Sequence, residues 1–566
     1  MKGVVLSSNP NKRREEKEGP VVSSDPVTFE ILRSSFYSIC EEMKSVIMRA
    51  AFSPLISLSS DLSCALADAT GKVIAQGNDI AVHLGAMPNS IKGALEAVSP
   101  SRLKPKDAIL TNDVYNGGSH LPDMTLITPL FFEGELIAYA VNRTHWPDVG
   151  GSAPGSSSVT QEIYQEGIRI PPVVMFKQGE LDPQLSSLVL ANVRVPEERL
   201  GDLHAQFAGN MRALERLEEL IHRYGLEDVK KVMGETLGYS RALIEKEIQK
   251  IPDGRYAFEE YMDGDGYSAG PDGRGLRLCA SIEVKGKSVQ VDFTGSAAAT
   301  KGPVNAPFAV TASSVYYTLL AVTNPSIPPN SGCYDPIDII APRGTIVCAE
   351  HPYPVVSANT ETSNRIVDVL LGAFAQAIPE KVIGASYGSA CIVTMGGVNP
   401  RTGTDFVHYE TVGGGMGARP DRDGINGHRV HMGNTMNVPV EAVEAAFPVR
   451  VCAYELIQGS GGRGRHAGGC GVRRVYEALG PGIRFSVLCE RALHPAWGLQ
   501  GGESGRRAFI YIQDSRGDRT PLPSKVASVE LARGSRLCIE TAGGGGYGPV
   551  RERAEVEAHG VYPVVA

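Results

Sequence analysis

The sequence predicts an α+β protein of several units, with mixed and antiparallel sheets, glycine-rich loops and a central helical segment. Three observations predict it. The chain has 566 residues, too many for one ordinary core, so two to four structural units are expected. Strand-like apolar runs bounded by turn residues fill two long stretches, and two adjacent helical patterns near residues 200–250 stand between them. Glycine and proline, at 64 and 37 residues, gather between the periodic runs, which marks tight turns rather than disorder. No fixed-period repeat indicates a solenoid.

Taken in order, residues 1–24 are polar and charged without periodicity, which predicts a disordered N-terminal extension. A helix then starts with Asp25 as N-cap and Pro26 in its first turn. Leu32, Phe36, Ile39, Met43, Val46 and Ala50 recur every three or four residues and give it one apolar stripe. Residues 25–200 form an α+β region that reads mainly as strands and turns from residue 55. "SCALADATGKVIAQG" has the form of a hairpin, and "FEGEL" is the turn of another, joining Leu126–Phe132 to Leu136–Asn142. Residues 201–252 are the helical segment. Leu203, Phe207, Leu214, Leu217 and Ile221 share a face there, and Gly225 ends the first of its two helices. Residues 253–382 are a mixed α/β region. It opens with a hairpin turning at "KGK", and two helices follow, in "APFAVTASSVYYTLLAVTN" and "SNRIVDVLLGAFAQAIP". Residues 383–566 are glycine-rich and β-rich, with a polar helix expected over "RERAEVEAHG".

Bulk properties exclude several functions. A net charge of −8 favours neither nucleic acid nor an anionic membrane as partner. The first twenty residues contain no apolar core of signal-peptide length, and no run of about 18 apolar residues occurs. The ten cysteines form no C-x-x-C pair, which argues against a zinc ribbon, a thioredoxin-type motif or a dense disulfide framework. A reduced, cytoplasmic, soluble protein is expected.

Glycine invites a phosphate loop, but none is well formed. "VKGKSV" has Ser281 where a Walker A loop needs glycine, so a hairpin turn explains it. "QGSGGRGRHAGG" and "AGGGGYG" fit G-x-G-x-x-G without the helix that a dinucleotide fold requires. In "GGGMGARPDRDGINGHRV", successive amides beside Arg419 and Arg422 could nest an anion. A structural loop is the reading expected there. No G-x-S-x-G elbow lies between a strand and a helix.

The strongest chemical signal is "GGSHLPDMTL". His120 and Asp123 sit at the start of one predicted strand, and His145 in "NRTHWPDVGG" ends its predicted partner. Pairing those strands brings His120, Asp123 and His145 to one sheet edge. Two imidazoles and a carboxylate suit Mn, Fe or Zn, with positions left for water or substrate. Asp61, inside the apolar run "SLSSDLSCALAD", is a further carboxylate that a cation would satisfy. The alternative is that each histidine caps a turn or bonds to backbone, and local sequence alone favours that alternative.

Further segments bear on the choice: "DPVTFEILR", "NDVYNGGSHLPDMTLITPLF", "HWPDVGGSAPGS", "EIYQEGIRIPPV", "VDFTGSAAATKGPVNAP", "ETSNRIVDVLLGA", "YETVGGGMGARPDRDGINGHRVHMGNTMNVPVEAVE" and "GSGGRGRHAGGCGVRR". In number and order, over about residues 25–550, they resemble the B-type subunit of the hydantoinase/oxoprolinase family. They are also similar to the related subunit of acetone and acetophenone carboxylases. The charged N-terminus and "SAAAT" before "KGPVN" depart from the pattern.

The resemblance implies a metal-dependent hydrolase subunit acting on cyclic amides. It implies a divalent metal on His120, Asp123 and His145, joined by Asp61. ATP would bind to a partner, a hydantoinase A-type subunit with an actin/acetate-kinase-like fold, in a hetero-oligomer. After phosphorylation of the substrate amide oxygen or enolate, the activated species would be hydrolysed or carboxylated in the B-type subunit. Asp148 would orient a ligand imidazole or act as base, and Asn112 and Asp113 would position water. The expected substrate is a small hydantoin or lactam ring. The alternatives are a subunit of a ketone carboxylase, or a non-catalytic scaffold of the A-type subunit.

Overall fold

The computed structural model describes residues 5–6, 22–270 and 272–551. The expected C-terminal helix therefore lies outside the described residues beyond Arg551, as does most of the N-terminal extension. Val5–Leu6 pair antiparallel with Ile339–Ile340.

The part of the fold that positions the site is an antiparallel seven-stranded sheet. Its order is Val73–Gln76, Leu62–Asp68, Glu135–His145, Asp123–Phe132, Ala108–Thr111, Val173–Lys177 and Glu180–Leu181. Its central strands are buried on both faces, which is why their sequences read as apolar runs with little alternation. Cys64, Leu66, Leu126 and Leu130 pack toward the helices Pro26–Ala50 and Pro196–Tyr224. Ala65, Ala67, Ile127 and Val141 pack on the other face against a helix at Ala81–Ala97. The helical segment is thus part of this region's core. Asp25 caps the first helix by accepting from Thr28 N at 2.9 Å. Its apolar stripe runs through Ile47 rather than Ala50, which is exposed.

The helix Pro196–Tyr224 is fixed to the sheet by amides as well as by apolar contact. Gln206 donates to Met124 O (3.0 Å) and Asn142 Oδ1 (2.8 Å), while Asn210 donates to Leu126 O (3.1 Å). Trp146 Nε1 donates to Gln206 Oε1 at 3.2 Å. These bonds hold the hairpin Asp123–His145 at both strands, close to the predicted metal ligands.

A mixed five-stranded sheet follows, in the order Val5–Leu6, Ile337–Ile340, Ser288–Asp292, Leu276–Lys285 and Gly254–Met262. The helices Phe308–Val322 and Ser363–Phe374 share its core, and "KGK" forms the expected turn with Lys285 opposite Ser288. The C-terminal region has antiparallel sheets of four and five strands. Glycine-rich segments outside these strands stack backbone on backbone. A Cβ on Gly415 would stand 2.0 Å from Gly469 O, and one on Gly544 2.1 Å from Met416 O. No side chain fits there, and this crowding accounts for much of the glycine content.

The helix Ala81–Ala97 departs from the expectation of strands and turns over 55–175. Gly85, Pro88 and Gly93 break the pattern that would have announced it. Each glycine has a packing reason. A Cβ on Gly85 would lie 2.7 Å from Ser313 Cα in the helix Phe308–Val322, and one on Gly93 2.2 Å from Asn116 O.

Candidate metal centre

The register of one hairpin builds the heart of the site. Asp123 is directly opposite His145 across the strands Asp123–Phe132 and Glu135–His145. His120 stands one turn earlier, in the loop that closes with Asp123 N donating to His120 O at 3.1 Å. Gly117 enters that loop at φ 93° and packs so closely that a Cβ would sit 2.3 Å from Asn89 C. Asp61 directly precedes the neighbouring strand, and its carbonyl accepts from His145 N at 3.0 Å.

Three imidazole nitrogens converge on Asp123 Oδ1: His120 Nε2 at 2.9 Å, His83 Nε2 at 3.2 Å and His145 Nδ1 at 3.3 Å. His120 Nε2 and His145 Nδ1 are 3.1 Å apart, and Asp61 Oδ1 lies 3.9 Å from His83 Nε2. His120, Asp123 and His145 form a compact buried group able to hold a metal ion. His83 escapes the sequence reading, because no local pattern announces the helix that carries it.

The outer contacts set the orientation of these groups. Ser119 Oγ donates to Asp123 Oδ2, and Arg143 Nη1 donates to Ser119 Oγ at 3.3 Å. His120 Nδ1 faces Val356 O at 3.4 Å, and Ser63 Oγ shares a hydrogen bond with His83 Nδ1 at 3.2 Å. Asn359 Nδ2 approaches His120 Nε2 at 3.3 Å from a π-helical turn, Ala358–Thr362, of a kind often found at functional sites.

The electrostatics fit a divalent cation. Burial pushes the Asp61 carboxyl well above its usual range, and the charge of Asp123 adds to the push. Burial also opposes ionisation of Asp123, but His120 and His83 hold its carboxyl well below the usual range. Burial lowers His145 to about 4, so its ring is neutral near pH 7 and keeps a lone pair for a metal. His145 Nε2 is buried with no hydrogen-bond partner, and Asp123 Oδ1 has only the three imidazoles around it. Donor atoms sharing one ion with bonds of ~2.1 Å lie about 3 Å apart when at right angles, which matches the observed spacing. Asp61, His120, Asp123 and His145, with His83, are the residues that could hold such an ion.

The three residues expected to assist are not gathered at this centre in the same way. Asp148 is fully buried, but its carboxylate accepts from Gly150 N (2.8 Å), Gly155 N (2.9 Å) and Arg194 Nη1 (3.0 Å). It organises its own loop. Asn112 bridges Leu121 O (2.7 Å), Ile168 O (2.9 Å) and Ile170 N (2.6 Å). Asp113 caps the short turn Val114–Asn116 by accepting from Tyr115 N at 3.1 Å. The second and third therefore shape the loop bearing His120.

A cavity of about 20 Å³, room for roughly one water, opens on Asp61, His83 and His145, with Asn359, Tyr409 and Arg429 in its wall. The Tyr409 ring lies 4.5 Å from that of His145. The glycine-rich segment from 413 does not offer its amides as an anion nest. Gly414 N donates to His428 O, Gly415 N to Ala542 O, Met416 N to Ile425 O and Ala418 N to Gly545 O. The structural-loop expectation describes its backbone.

A buried histidine–carboxylate centre at the ends of adjacent central strands defines a class, and comparison with known proteins defines the family. The chain belongs to the hydantoinase B/oxoprolinase family, whose profile matches residues 25–550. It is 38% identical to an uncharacterised protein of Methanocaldococcus jannaschii, over 94% of this chain and 92% of that one. It is 31% identical to a protein of Pseudomonas sp. provisionally named as the B-type subunit of a D-/L-hydantoinase, over 94% and 91%. It is 33% identical to 5-oxoprolinase 1 of Arabidopsis thaliana, matching 93% of this chain but only 42% of that protein. The ATP-dependent caprolactamase of Pseudomonas jessenii superposes with a TM-score of 0.86 at 26% identity, covering 95% and 94%.

Proposed function

We propose that this chain is the B-type subunit of an ATP-dependent, metal-dependent cyclic amide hydrolase that opens a hydantoin or lactam ring. The observation that carries the reading is the convergence of His83, His120 and His145 on Asp123 Oδ1, beside a cavity. Relatives named as a hydantoinase B-type subunit and as 5-oxoprolinase, and a caprolactamase of the same fold, support the substrate class. Asp61, His120, Asp123 and His145, with His83, would hold a divalent ion of Mn, Fe or Zn. Such an ion supplies Lewis acidity, polarising an oxygen and making water a stronger nucleophile near neutral pH.

The remaining work falls to the chain. An unstrained amide resists water, and phosphorylation of its oxygen by the A-type partner would make that oxygen a leaving group. Asn359 and Tyr409 line the small cavity, which would hold the attacking water. Burial keeps the Tyr409 phenol protonated, so it can donate a hydrogen bond to an oxygen of the departing phosphate. Ser119 and Arg143 hold Asp123 against rotation.

The test is to purify the chain with its A-type partner and measure ATP hydrolysis with hydantoins and five- to seven-membered lactams. Substrate-dependent ATP turnover with ring opening is expected. A bicarbonate requirement with a ketone substrate, or no substrate dependence at all, overturns the reading.

A further inference from the structure

The chemistry above leaves unused a cavity of about 630 Å³ that lies against the metal centre. Arg429 and Gly433 line both this cavity and the small one at the metal ligands. Lys381, Arg419, His428 and His431 also face the large cavity, as do the acidic groups Asp79, Glu380 and Asp421. Two of these acids are already paired: Asp79 with Lys44 at 2.6 Å and Asp421 with Arg422 at 2.7 Å. His431 reaches Asp368 at 3.3 Å. Among the described residues, no carboxylate lies within 4.0 Å of the Arg419 or Arg429 guanidinium.

Arg429 is the telling group. Its Nη1 donates to Ala390 O at 2.8 Å and to Tyr387 Oη at 3.2 Å, which fixes the guanidinium from one side. Its Nε is shielded from solvent with no acceptor. Its Nη2 points to where the cavities meet, since a Cβ on Gly433 would stand 2.5 Å from it. The Nε–Nη2 edge is the one that takes two oxygens of an oxyanion side by side. Asp61 and Glu361 act on this cation only through space, so its open edge is left free to pair directly with a bound anion.

We propose that Arg429, with Arg419 farther along the same cavity, is an oxyanion-recognition site that orients the substrate beside the metal centre. The ligand chemistry is a carboxylate or phosphoryl group attached to the cyclic amide. A carboxylate would belong to the ring itself, and a phosphoryl group would be the activating group on the amide oxygen. The choice of a cyclic amide rests on the proposed function; the anion site rests on the cavity and on Arg429.

The experiment is calorimetric titration of the full chain, copurified with its partner, at low and high salt. Three probes separate the sources: inorganic phosphate, 5-oxoproline and the neutral lactam 2-pyrrolidinone. Wild type is expected to bind at least one anion in a salt-dependent way, and Arg429→Gln to weaken it about 10- to 100-fold. The neutral lactam and the metal content should respond equally in both proteins. The anion that loses affinity identifies the source. Arg429→Lys, which keeps the charge but not the paired donors, should restore part of the binding and guards against misfolding of the Gln variant. Equal anion affinity in wild type and Arg429→Gln, at equal metal content, overturns the proposal. Because binding is read without turnover, failure here leaves the hydrolase reading standing, and failure of that reading leaves this one measurable.

Discussion

Asp123 Oδ1 is reached by three imidazoles along three different routes through the chain: a tight loop for His120, a strand partner for His145 and a covering helix for His83. The first two are legible in the sequence because they belong to one hairpin, where strand pairing can be inferred from turn spacing. Asp61 is legible as a carboxylate in an apolar run. His83 is not, because its approach depends on how a helix lies across the sheet. His83→Ala is expected to lower metal affinity about 10- to 100-fold without unfolding the chain, read by metal analysis after dialysis against graded chelator. Unchanged retention would remove His83 from the centre. Asp148 is the converse case. Its place after His145 in "HWPD" suggests chemistry, yet its oxygens are taken by Gly150, Gly155 and Arg194. Asp148→Ala should cost about 2–3 kcal/mol of stability by leaving buried donors unpaired, while the bound metal stays. Loss of metal at unchanged melting temperature would return Asp148 to the site.

Elements with clear periodicity and clean ends are readable, and the three hairpins and the long helices fall where their patterns place them. The helix Ala81–Ala97 is hidden by residues chosen for contact rather than propensity. Gly85 lets it meet the helix Phe308–Val322, which no local pattern reveals. Gly85→Ala is expected to destabilise the protein by about 1–3 kcal/mol through overpacking. Because His83 is two residues away on the same helix, the displacement should also weaken metal retention. Gly234 provides the contrast, since a Cβ there would meet nothing within 4 Å. Gly234→Ala should stabilise the helix Leu226–Ile248 by about 0.5–1 kcal/mol. Thermal melts of both variants test the pair, and a shift of the same sign in each would contradict the packing argument.

Across the whole molecule, buried ionisable groups pull stability in opposite directions with pH. Burial pushes Glu166 and Glu361 up to about 8 from an ordinary 4.5. Their contribution is complete below pH ~4.5 and is lost as pH rises through about 8, at about 1.4 kcal/mol per pH unit for each group. Burial opposes charge on Glu410 too, but His408, Arg474 and Tyr476 hold it down to about 2. Its contribution is present above pH ~4.5 and lost as pH falls toward 2. Melting temperature should therefore decline from pH 5 to 8, and the double variant Glu166→Gln, Glu361→Gln should flatten that decline. A parallel decline in both proteins would show that other groups set the slope. None of these environments can be read from the sequence, since each joins residues far apart in the chain. The glycine-rich segments carry one more consequence. Much of residues 413–418, 461–469 and 543–546 belongs to no regular strand, yet their amides bond across neighbouring segments in a layer too tight for a Cβ. In deuterium exchange, these stretches without sheet or helix should be among the slowest to label, because opening one of them requires its neighbours to part as well.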